Sequence, residues 1–237
     1  TRRGAALESG LDNSPMYDDP GYDTSTGLMK MHDVGLNSLY VMDCECLAYL
    51  CKQVGRAEKA QSLQDRAQKI RTAMQGLWNP DKKLFMNYKT DTGQFSPVIS
   101  PTCLYPLLGT IANADQSQDM VRICLDDPNA LGGPWLLPAC ARNHPAYREQ
   151  HYWRGRIWPP LNFLVYLGLC DAGMKEDARR VAQNSLQLLR KEWHMHRHVH
   201  ENYNADTGTG CDSASSYPLY HWGGLLGLPT FMEKEWF

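Results

Sequence analysis

Apolar residues recur with a helical period in two consecutive stretches near the beginning of the chain. Residues 34–54 carry them on a broad surface, which predicts a largely buried helix that ends before Gly55. Residues 57–78 carry them on one stripe opposite charged positions, which predicts an amphipathic helix. Together the two stretches predict an αα-hairpin. The broad surface of the first helix comprises Val34, Leu39, Val41, Met42, Cys46, Leu47, Leu50 and Val54.

The same alternation returns further along, where residues 161–170 are apolar and residues 175–193 are amphipathic. About seven helices are predicted, with long polar loops and no series of strands or βαβ alternation. This pattern predicts an all-α fold, a toroid of αα-hairpins of the (α/α)6 barrel type. Twelve helices of ~11 to 15 residues would exceed this chain, so we expect a partial barrel. The shorter predicted elements are helices at 102–108, 116–125 and 219–226, and a hairpin of 84–88 with Phe95 around 91–93.

The composition is that of a globular protein: 237 residues, 43% hydrophobic and 21% charged, predict one soluble domain with a substantial core. A net charge of −2 without a basic tract argues against nucleic acid as a partner, and no apolar run is long enough to cross a bilayer. The 7 Trp and 12 Tyr gather near Gly, Pro and charged residues. Such clusters are typical of surfaces that bind sugars, although cores and interfaces also collect aromatic residues.

The chain contains eight cysteines and no C-x-x-C pair. Most lie in apolar helical context, so we expect buried free thiols, which favours a reducing compartment and a cytoplasmic location. The chain begins at Thr1 and no charged-then-apolar leader follows, so any targeting segment has been removed or was never included, and the location stays open. The cysteines, whose disulfide status also stays open, are Cys44, Cys46, Cys51, Cys103, Cys124, Cys140, Cys170 and Cys211.

A polar stretch, ESGLDNSP, occupies residues 8–15 and has no helical or strand periodicity. Gly10 and Pro15 favour a loop, which carries the two carboxylates Glu8 and Asp12. This loop could perform acid–base chemistry. The alternative is a turn in which Asp12 only accepts hydrogen bonds from backbone amides. Both interpretations are open on this stretch alone.

A second polar stretch, HENYNADTG, occupies residues 200–208 and carries Glu201 beside aromatic and amide groups. Glu201 lies 189 residues after Asp12 (201 minus 12). Glycoside hydrolysis requires two such carboxylates, one to protonate the leaving oxygen and the other to activate water or attack the carbon. The spacing alone does not show that the two carboxylates meet.

A third stretch, YWRGRIWPP, occupies residues 152–160 and offers an aromatic platform and a cation beside a helix that begins near Pro159. The platform would cover the apolar face of a sugar. The alternative is ordinary loop-to-helix packing with Trp158 in the core.

The order of these motifs resembles that of the inverting α-glycosidases with an (α/α)6 barrel, in particular glycoside hydrolase family 63 and its bacterial relatives, with the trehalases more distant. The resemblance implies that residues 1–237 form a single α/α-barrel glycosidase catalytic domain, the C-terminal portion of a longer chain. It covers nearly the whole chain and rests on ESGLDNSP, on YWRGRIWPPLNFLVYLGL at 152–169, on HENYNADTG and on YPLYHWGGLLGL at 217–228.

The resemblance also implies residue roles: Asp12 is the general acid and Glu201 the general base in the hydrolysis, with inversion, of a small α-linked glucoside or related α-glycoside. Two positions depart from the family pattern and bear on substrate fit, Leu7 where a Trp is frequent and Arg156 where a Pro is frequent. The trehalase signature motifs are otherwise missing, which counts against trehalose. The positions expected to bind the sugar are Glu8, Asn13, Trp153, Arg154, Trp158, Tyr203, Asn204, His221 and Trp222.

These roles require opposite protonation states at the two carboxyl groups. We expect Asp12 to be kept protonated by burial or by the charge of Glu8, and Glu201 to be ionised and held by Asn202, Tyr203 or a nearby amide. The expected ligand is a carbohydrate, and the number of subunits stays open. The alternative function is a catalytically inactive or incomplete carbohydrate-binding fragment of such an enzyme.

Four histidines alternate in the pattern H-x-H-x-H-x-H, at His194, His196, His198 and His200. On an extended strand they would line one face as metal ligands. A helix that continues from residues 175–193 would scatter them, and they would then bond to the backbone or to a sugar. No carboxylate–metal motif accompanies them, so we expect no metal and no cofactor, and a metal-dependent hydrolase is the third hypothesis.

Overall fold

The architecture over residues 1–233, which the computed structural model describes, is helical. The seven α-helices of that range are α1 (Arg2–Leu7), α2 (Val34–Gln53), α3 (Ala57–Met74), α4 (Ala114–Cys124), α5 (Pro159–Asp171), α6 (Lys175–His196) and α7 (Leu228–Glu233). The prediction of an all-α fold is therefore confirmed. Helix α2 packs on α3, and α5 packs on α6, so both predicted αα-hairpins are present.

Helix α2 begins at a side-chain cap. Asp33 accepts the backbone N–H of Leu36 at 2.8 Å, which satisfies one of the free amides of the first turn. The helix ends at Gln53, and Gly55 follows with a φ of 73°, a left-handed conformation that glycine adopts at low cost. This reversal of the chain allows α3 to fold back onto α2.

One face of α2 is exposed, so the prediction of a largely buried helix is wrong for that face. Val41 has no exposed surface, whereas Leu47, Leu50 and Val54 are 41%, 57% and 69% exposed. Among the described residues, the main partners of α2 are α3 and the 3₁₀ helix Pro101–Thr110. An apolar pattern shows which positions can be buried, but the neighbouring elements decide which positions are.

Helix α5 is largely buried and lies in the core. Pro159 and Pro160 occupy its first positions, where the missing N–H of proline costs little. At Gly168 the helix approaches the 3₁₀ helix Pro101–Thr110 closely, because a Cβ at that position would lie 3.0 Å from the Cβ of Leu107. Only a residue without a side chain permits this approach.

Helix α6 is amphipathic, as predicted, with Ala178, Val181 and Leu188 buried on its inner side. It continues beyond the predicted end at residue 193 as far as His196, where Arg197 follows in a left-handed conformation with a φ of 59°. The last turn of α6 therefore contains the first half of the alternating histidine pattern.

Small antiparallel sheets lie in the loops that precede α4. Their strands are β1 (Tyr22–Asp23), β2 (Leu28–Met29), β3 (Met31–His32), β4 (Trp78–Asn79), β5 (Leu84–Phe85), β6 (Tyr88–Lys89) and β7 (Gln94–Phe95). The predicted hairpin is confirmed in part, since β6 pairs with β7 across a turn in which Gly93 has a φ of 69°. Strand β5 pairs instead with β4, and β3 joins the other edge of β6.

The two shortest predicted apolar helices are 3₁₀ helices, Pro101–Thr110 and His221–Leu226. Pro106 lies inside the first of them, and Gly109 leaves the helical region with a φ of 59°, which prevents a regular α-helix. Helices α1 and α7 were not predicted, because six residues are too few for a period to be recognised.

One large hydrophobic core joins both αα-hairpins. All eight cysteines are free thiols; five are buried as predicted, whereas Cys46, Cys170 and Cys211 are exposed. Within residues 1–233, no helix combines the length and the apolar character needed to cross a membrane.

Candidate active site

The segment that carries Asp12 is a loop, as predicted, and serine side chains make its turns. Ser9 donates to the carbonyl of Ala6 at 2.6 Å and accepts the N–H of Leu11 at 3.0 Å, while Ser14 caps the following 3₁₀ turn. Gly10 has a φ of 72°, which turns the chain out of α1. The serines thus supply the local capping that the alternative interpretation gave to Asp12, whose half-buried carboxyl faces another part of the molecule.

The aromatic turn, residues 151–158, lies against this loop. The rings of Trp153 and Trp158 stack with centroids 3.6 Å apart and an angle of 7°, and Tyr152 meets Trp158 edge-on at 4.9 Å. The indole N–H of Trp158 donates to the carbonyl of Tyr152 at 3.0 Å. Buried stacking of this kind fixes the shape of the turn and therefore the direction of the Tyr152 side chain.

Tyr152 has a φ of 56°, a left-handed conformation that is unusual for a bulky residue. A residue in this region costs on the order of 1 to 3 kcal/mol and persists only where the surrounding contacts enforce it. Here the stacked indoles and the hydrogen bond from Trp158 enforce it. Such local strain is common at functional sites, which makes Tyr152 a candidate functional residue.

The base loop, residues 200–212, is held by backbone pairing on both sides of Glu201. Tyr203 exchanges two backbone hydrogen bonds with Ile157 of the aromatic turn, at 2.8 and 2.9 Å, and the Glu201 N–H donates to the carbonyl of Tyr217 at 2.9 Å. The indole N–H of Trp222 donates to the Glu201 carbonyl at 3.1 Å. Glu201 is 3% exposed, so its backbone and side chain are both tightly enclosed.

Asp12, Tyr152 and Glu201 come together at one place. Burial raises the pKa of Tyr152 to about 12, and the negative charges of Glu201 and Asp12 contribute to this rise. Burial also raises the pKa of Glu201; the charge of Asp12 adds to the rise, while hydrogen bonds from the Tyr217 backbone and the Tyr152 hydroxyl oppose it. The two carboxyl groups that the sequence could not connect thus both lie near the Tyr152 hydroxyl, and the negative charge of Asp12 acts on Glu201.

Of the groups predicted to hold Glu201, a nearby backbone amide does so, that of Tyr217, whereas the Asn202 and Tyr203 side chains do not. Asn202 bonds through its side-chain oxygen to Arg156 and donates to the carbonyl of Ser215 at 2.8 Å, and the Tyr203 hydroxyl accepts the N–H of His200 at 3.0 Å. Neither side chain holds the carboxylate, because both complete the framework of the base loop. Among the described residues, one carboxylate oxygen of Glu201 has no hydrogen-bond partner and is buried.

A cavity of ≈ 210 Å³ lies against residues 8–15, named the acid segment because the resemblance implies that Asp12 is the general acid, and Ser9, Gly10 and Leu11 line it. Its walls are mostly apolar, and Trp153 and Trp222 form part of them. Both tryptophans were predicted to line a sugar pocket, and both lie beside the site that Asp12 and Glu201 form. Aromatic walls with few polar groups are typical of sites that bind small organic ligands.

Asn13 and Arg154 connect the acid segment to the aromatic turn. The Asn13 side chain accepts the N–H of Trp153 at 2.9 Å, and its amide lies 3.3 Å from the His151 ring. The Arg154 guanidinium makes a bidentate pair with Glu149 and a further pair with Asp18 at 2.7 Å. The polar atoms of both side chains are engaged by protein partners, and their role in sugar binding stays a prediction.

Three other predicted sugar-binding residues lie away from the open site. Trp158 and Tyr203 have no exposed surface, so neither side chain can contact a sugar. Asn204 accepts the N–H groups of Asp206 and Thr207 and donates to Asp212 at 2.7 Å, which closes the turn of the base loop. The alternative interpretation of Trp158 as a core residue is therefore correct.

Glu8 and His221 are exposed at the periphery. Glu8 caps the end of α1 and lines a separate cavity of ≈ 310 Å³, whereas the charge of Asp12 acts on Glu201. The ring of His221 stacks on Tyr220 at 5.1 Å. An exposed imidazole at this position can still reach a bound ligand.

Arg156 is fully buried and joins the aromatic turn to the base loop. It pairs with Asp212 at 2.8 Å and bonds to the Asn202 side chain. It also donates to the carbonyls of Gln150 and Thr209. This is the position at which the sequence departs from the family pattern, and the departure introduces a buried cation together with its carboxylate partner.

The alternating histidines are neither aligned on a strand nor fully scattered. The rings of His196, His198 and His200 cluster with centroids 4.6 to 5.9 Å apart, whereas His194 is exposed on α6. His200 meets two residues that the pattern does not include: Glu192, Cys211 and His200 place their donor atoms within 4.8 Å of one another. These three residues could hold a metal ion.

Sequence reasoning missed Tyr152, Arg156, Glu192 and Cys211. Tyr152 lies in the YWRGRIWPP motif, and its position next to Trp153 was the only sequence signal for a role in the site. Arg156 meets Asp212 across 56 residues, whereas Glu192 and Cys211 are near His200 in sequence but meet it only because α6 and the base loop fold together.

Comparisons with known proteins agree with this geometry. A family model described as the mannosylglycerate hydrolase MGH1-like glycoside hydrolase domain matches residues 4–222. Mannosylglycerate hydrolase MGH1 from Selaginella moellendorffii is 24% identical over 167 residues, which are 68% of this chain and 33% of that protein. The chain thus spans about a third of the length of this curated relative.

Two solved structures resemble the chain. The GH63 mannosylglycerate hydrolase from Thermus thermophilus, in complex with glucose, superposes with a TM-score of 0.78 at 21% identity, over 97% of this chain and 63% of that chain. Neutral trehalase Nth1 from Saccharomyces cerevisiae superposes with a TM-score of 0.68 at 18% identity, over 94% of this chain and 40% of that chain. The predicted fold, an (α/α)6 barrel present in part, is confirmed.

Proposed function

This chain belongs to the family of mannosylglycerate hydrolase MGH1-like glycoside hydrolase domains, and on that premise we propose that the protein hydrolyses a small α-linked glycoside with inversion at the anomeric carbon. The observation that carries the proposal is the position of Tyr152 between Asp12 and Glu201, where the charge of one carboxyl group acts on the pKa of the other. Two facing carboxyl groups beside an aromatic cavity are what this reaction requires.

In the proposed mechanism, Asp12 is the general acid. Its proton passes to the glycosidic oxygen while the bond from that oxygen to the anomeric carbon breaks. Glu201 is the general base and takes a proton from a water molecule, whose oxygen forms the new bond to the opposite face of the carbon. An inverting arrangement places the two carboxyl groups about 6.5 to 9.5 Å apart, so that the water fits between base and substrate.

Tyr152 has a supporting role in this mechanism. Its hydroxyl bonds to Glu201 and thereby favours the ionised carboxylate that a base requires, against the burial that raises the pKa of Glu201. The same hydroxyl faces Asp12. Tyr152 therefore lies close to both the proposed acid and the proposed base.

For the substrate we propose an α-linked glucoside with a neutral leaving group. Trp153 and Trp222 offer aromatic faces for sugar rings. The nearby Arg154 is neutralised by Glu149 and Asp18, so it offers little attraction to an anionic leaving group such as glycerate. The relatives named above act on mannosylglycerate or are trehalases, so those two sugars are the comparison substrates.

The test follows the anomeric form of the released sugar by proton NMR, with an α-glucoside disaccharide, trehalose and mannosylglycerate as substrates. We expect the β-anomer to appear first, and the glucoside to react fastest. Immediate release of the α-anomer would indicate retention and overturn the mechanism, and faster cleavage of mannosylglycerate would overturn the substrate assignment. Calorimetric sugar binding without any turnover would instead establish the carbohydrate-binding alternative.

Substrates with different leaving groups distinguish the proposed role of Asp12 from that of Glu201. A nitrophenyl α-glucoside departs without much protonation, so the Asp12→Asn variant should lose far less activity on it than on a disaccharide. The Glu201→Gln variant should lose similar activity on both substrates, because water must be activated in either case. Equal sensitivity of the two variants to the leaving group would contradict the assignment of acid and base.

A further inference from the structure

Glu192, His200 and Cys211 form a buried cluster on the side of the base loop that faces α6. The Nε2 atom of His200 lies 3.2 Å from the Sγ atom of Cys211 and 3.4 Å from an Oε2 atom of Glu192. Glu192 and His200 are 0% and 1% exposed, whereas Cys211 is exposed and leaves an approach from solvent. A carboxylate, an imidazole and a thiol thus converge on one point from a helix and a loop.

Hydrogen bonding alone does not account for this arrangement. A neutral imidazole has one N–H and one lone pair. If the proton lies on Nε2, both Glu192 and Cys211 share a single donor at long distances; if it lies on Nδ1, the Nε2 lone pair faces a carboxylate. The Nδ1 atom of His200 is buried and has no partner among the described residues. Each protonation state therefore leaves polar atoms poorly matched.

The other contacts of Glu192 are those of a metal-binding carboxylate. Lys191 donates to its Oε1 atom at 3.2 Å, and the backbone N–H of Gly210 donates to Oε2 at 2.9 Å. Carboxylates that bind metals are generally oriented by such outer hydrogen bonds. The hydrogen bonds from Lys191 and Gly210 leave one side of the Glu192 Oε2 atom directed at His200 and Cys211.

We propose that Glu192, His200 and Cys211 bind a zinc ion. Atoms bound to a tetrahedral zinc at about 2.0 to 2.3 Å lie about 3.3 to 3.8 Å from one another, which is close to the separations from the His200 nitrogen given above. Thiolate and imidazole together favour zinc over magnesium or calcium, which prefer oxygen ligands. The Nε2 atom of His196, one turn after Glu192 on α6 and 4.0 Å from Oε2, is a candidate fourth donor.

The ion has a structural role, beyond the proposed hydrolysis. Glu192 belongs to α6, while His200 and Cys211 stand at the two ends of the base loop, so one ion closes the loop and fastens it to the helix. Glu201 follows His200 directly, with its side chain on the other side of the chain toward Tyr152. The zinc therefore restrains the position of the base without contact with the substrate.

The experiment titrates the metal-free protein with Co²⁺, which replaces zinc and shows a thiolate-to-metal absorption band in the near ultraviolet. We expect one equivalent to bind with this band, and Zn²⁺ to displace it. The Cys211→Ser variant should lose the band and bind Zn²⁺ at least about 100-fold more weakly, since even changes in outer partners of such sites cost 10- to 100-fold. The matched control is Cys46→Ser, which removes another exposed cysteine, far from the cluster in sequence, and should keep the band and the affinity.

The absence of the thiolate band in the unaltered protein, or its persistence in Cys211→Ser, would overturn the site. Equal loss in both serine variants would also overturn it. Because neither readout requires a sugar, a negative result in the hydrolysis assays leaves the metal test intact. Removal of Zn²⁺ from the loaded protein should also lower the melting temperature, and an unchanged value would contradict the structural role.

Discussion

The two carboxyl groups of the site are held in different ways. Asp12 lies in a short turn that serine hydroxyls close locally, and Asn13 provides the cross-connection to the aromatic turn. Glu201 lies in a loop that Arg156 and two backbone bridges fasten to distant parts of the chain. The acid segment is therefore anchored at few points, and the base loop at many.

This difference indicates that the acid segment contributes mainly to the proposed chemistry, whereas the base loop contributes mainly to the stability of the fold. In the proposed mechanism Asp12 transfers its proton to a leaving group of variable shape, and a segment with few cross-connections can follow that group. In the same mechanism Glu201 holds water at a fixed position, which a rigid network favours. Changes in the acid segment should therefore act on turnover, and changes around the base should act first on folding.

The largest effect should come from the acid itself. Asp12→Asn should lower kcat on a disaccharide by about 10²- to 10⁴-fold, the usual contribution of general acid catalysis. Its free energy of unfolding should change by less than about 0.5 kcal/mol, because serines and not Asp12 make the turn. Steady-state kinetics and urea denaturation measure the two quantities.

The control for this variant is Asp18→Asn, which removes an exposed carboxylate in the same part of the chain that pairs with Arg154. It should retain most of the activity, since an exposed ion pair contributes at most about 1 kcal/mol. Full activity of Asp12→Asn would refute the role of Asp12.

The second effect is on the base loop. Arg156→Met should lower the free energy of unfolding by about 3 kcal/mol, because it removes a buried cation and leaves Asp212 and Asn202 without it. Urea denaturation measures this loss. The exposed Arg148 offers a matched control, and Arg148→Met should change stability by less than about 0.5 kcal/mol. Equal stability of the two variants would mean that the buried network does not anchor the loop.

The third prediction concerns Tyr152, which contacts both the acid segment and the base loop. Tyr152→Phe removes the hydroxyl that both carboxyl groups face, and a hydrogen bond to a charged group contributes about 1.5 to 3 kcal/mol. We expect kcat to fall by about 10- to 100-fold, with sugar affinity retained in calorimetry. Tyr217→Phe, at an exposed ring that follows the base loop, serves as the control. A wild-type kcat for Tyr152→Phe would exclude a role for the hydroxyl.

The smallest effect concerns the anchor of the acid segment. Asn13→Ala should reduce stability by about 1 kcal/mol through loss of the hydrogen bond to the Trp153 backbone. Asn13→Asp keeps the accepting oxygen and should retain most of that stability, as thermal unfolding can show. If both variants unfold like the unaltered protein, the acid segment is anchored elsewhere.

Much of the scaffold could be predicted from the sequence, because the period of the apolar residues in a long helix indicates which side of that helix faces the core. Helix α2 begins and ends within a residue of the prediction, and α5 begins at Pro159, as predicted. The exposed face at Leu50 could not be predicted, because the apolar character of a side chain does not show which elements of the fold pack against it. The 3₁₀ helix Pro101–Thr110 was expected as a short α-helix, although Pro106 already argued against regular geometry.

The carboxyl groups of the site were identified from motifs, but their surroundings were not. Tyr203 and Trp158 carry the right chemistry for sugar binding, yet both are enclosed by the core. Arg154 likewise has the right charge, which Glu149 and Asp18 neutralise. Which polar atom bonds to which partner depends on contacts between separate segments, 140 residues apart for Asn13 and Trp153 and 56 for Arg156 and Asp212, and the local sequence does not show these contacts.

The stacked indoles of Trp153 and Trp158 make the site optically visible. Aromatic rings 3.6 Å apart interact electronically, and Trp222 meets this pair at an angle of 67° while its N–H holds the backbone of Glu201. Near-ultraviolet circular dichroism and intrinsic fluorescence therefore carry a signal that originates beside the two carboxyl groups. Occupation of the cavity and loosening of the base loop should each alter that spectrum, so the protein can report on its own site without a label.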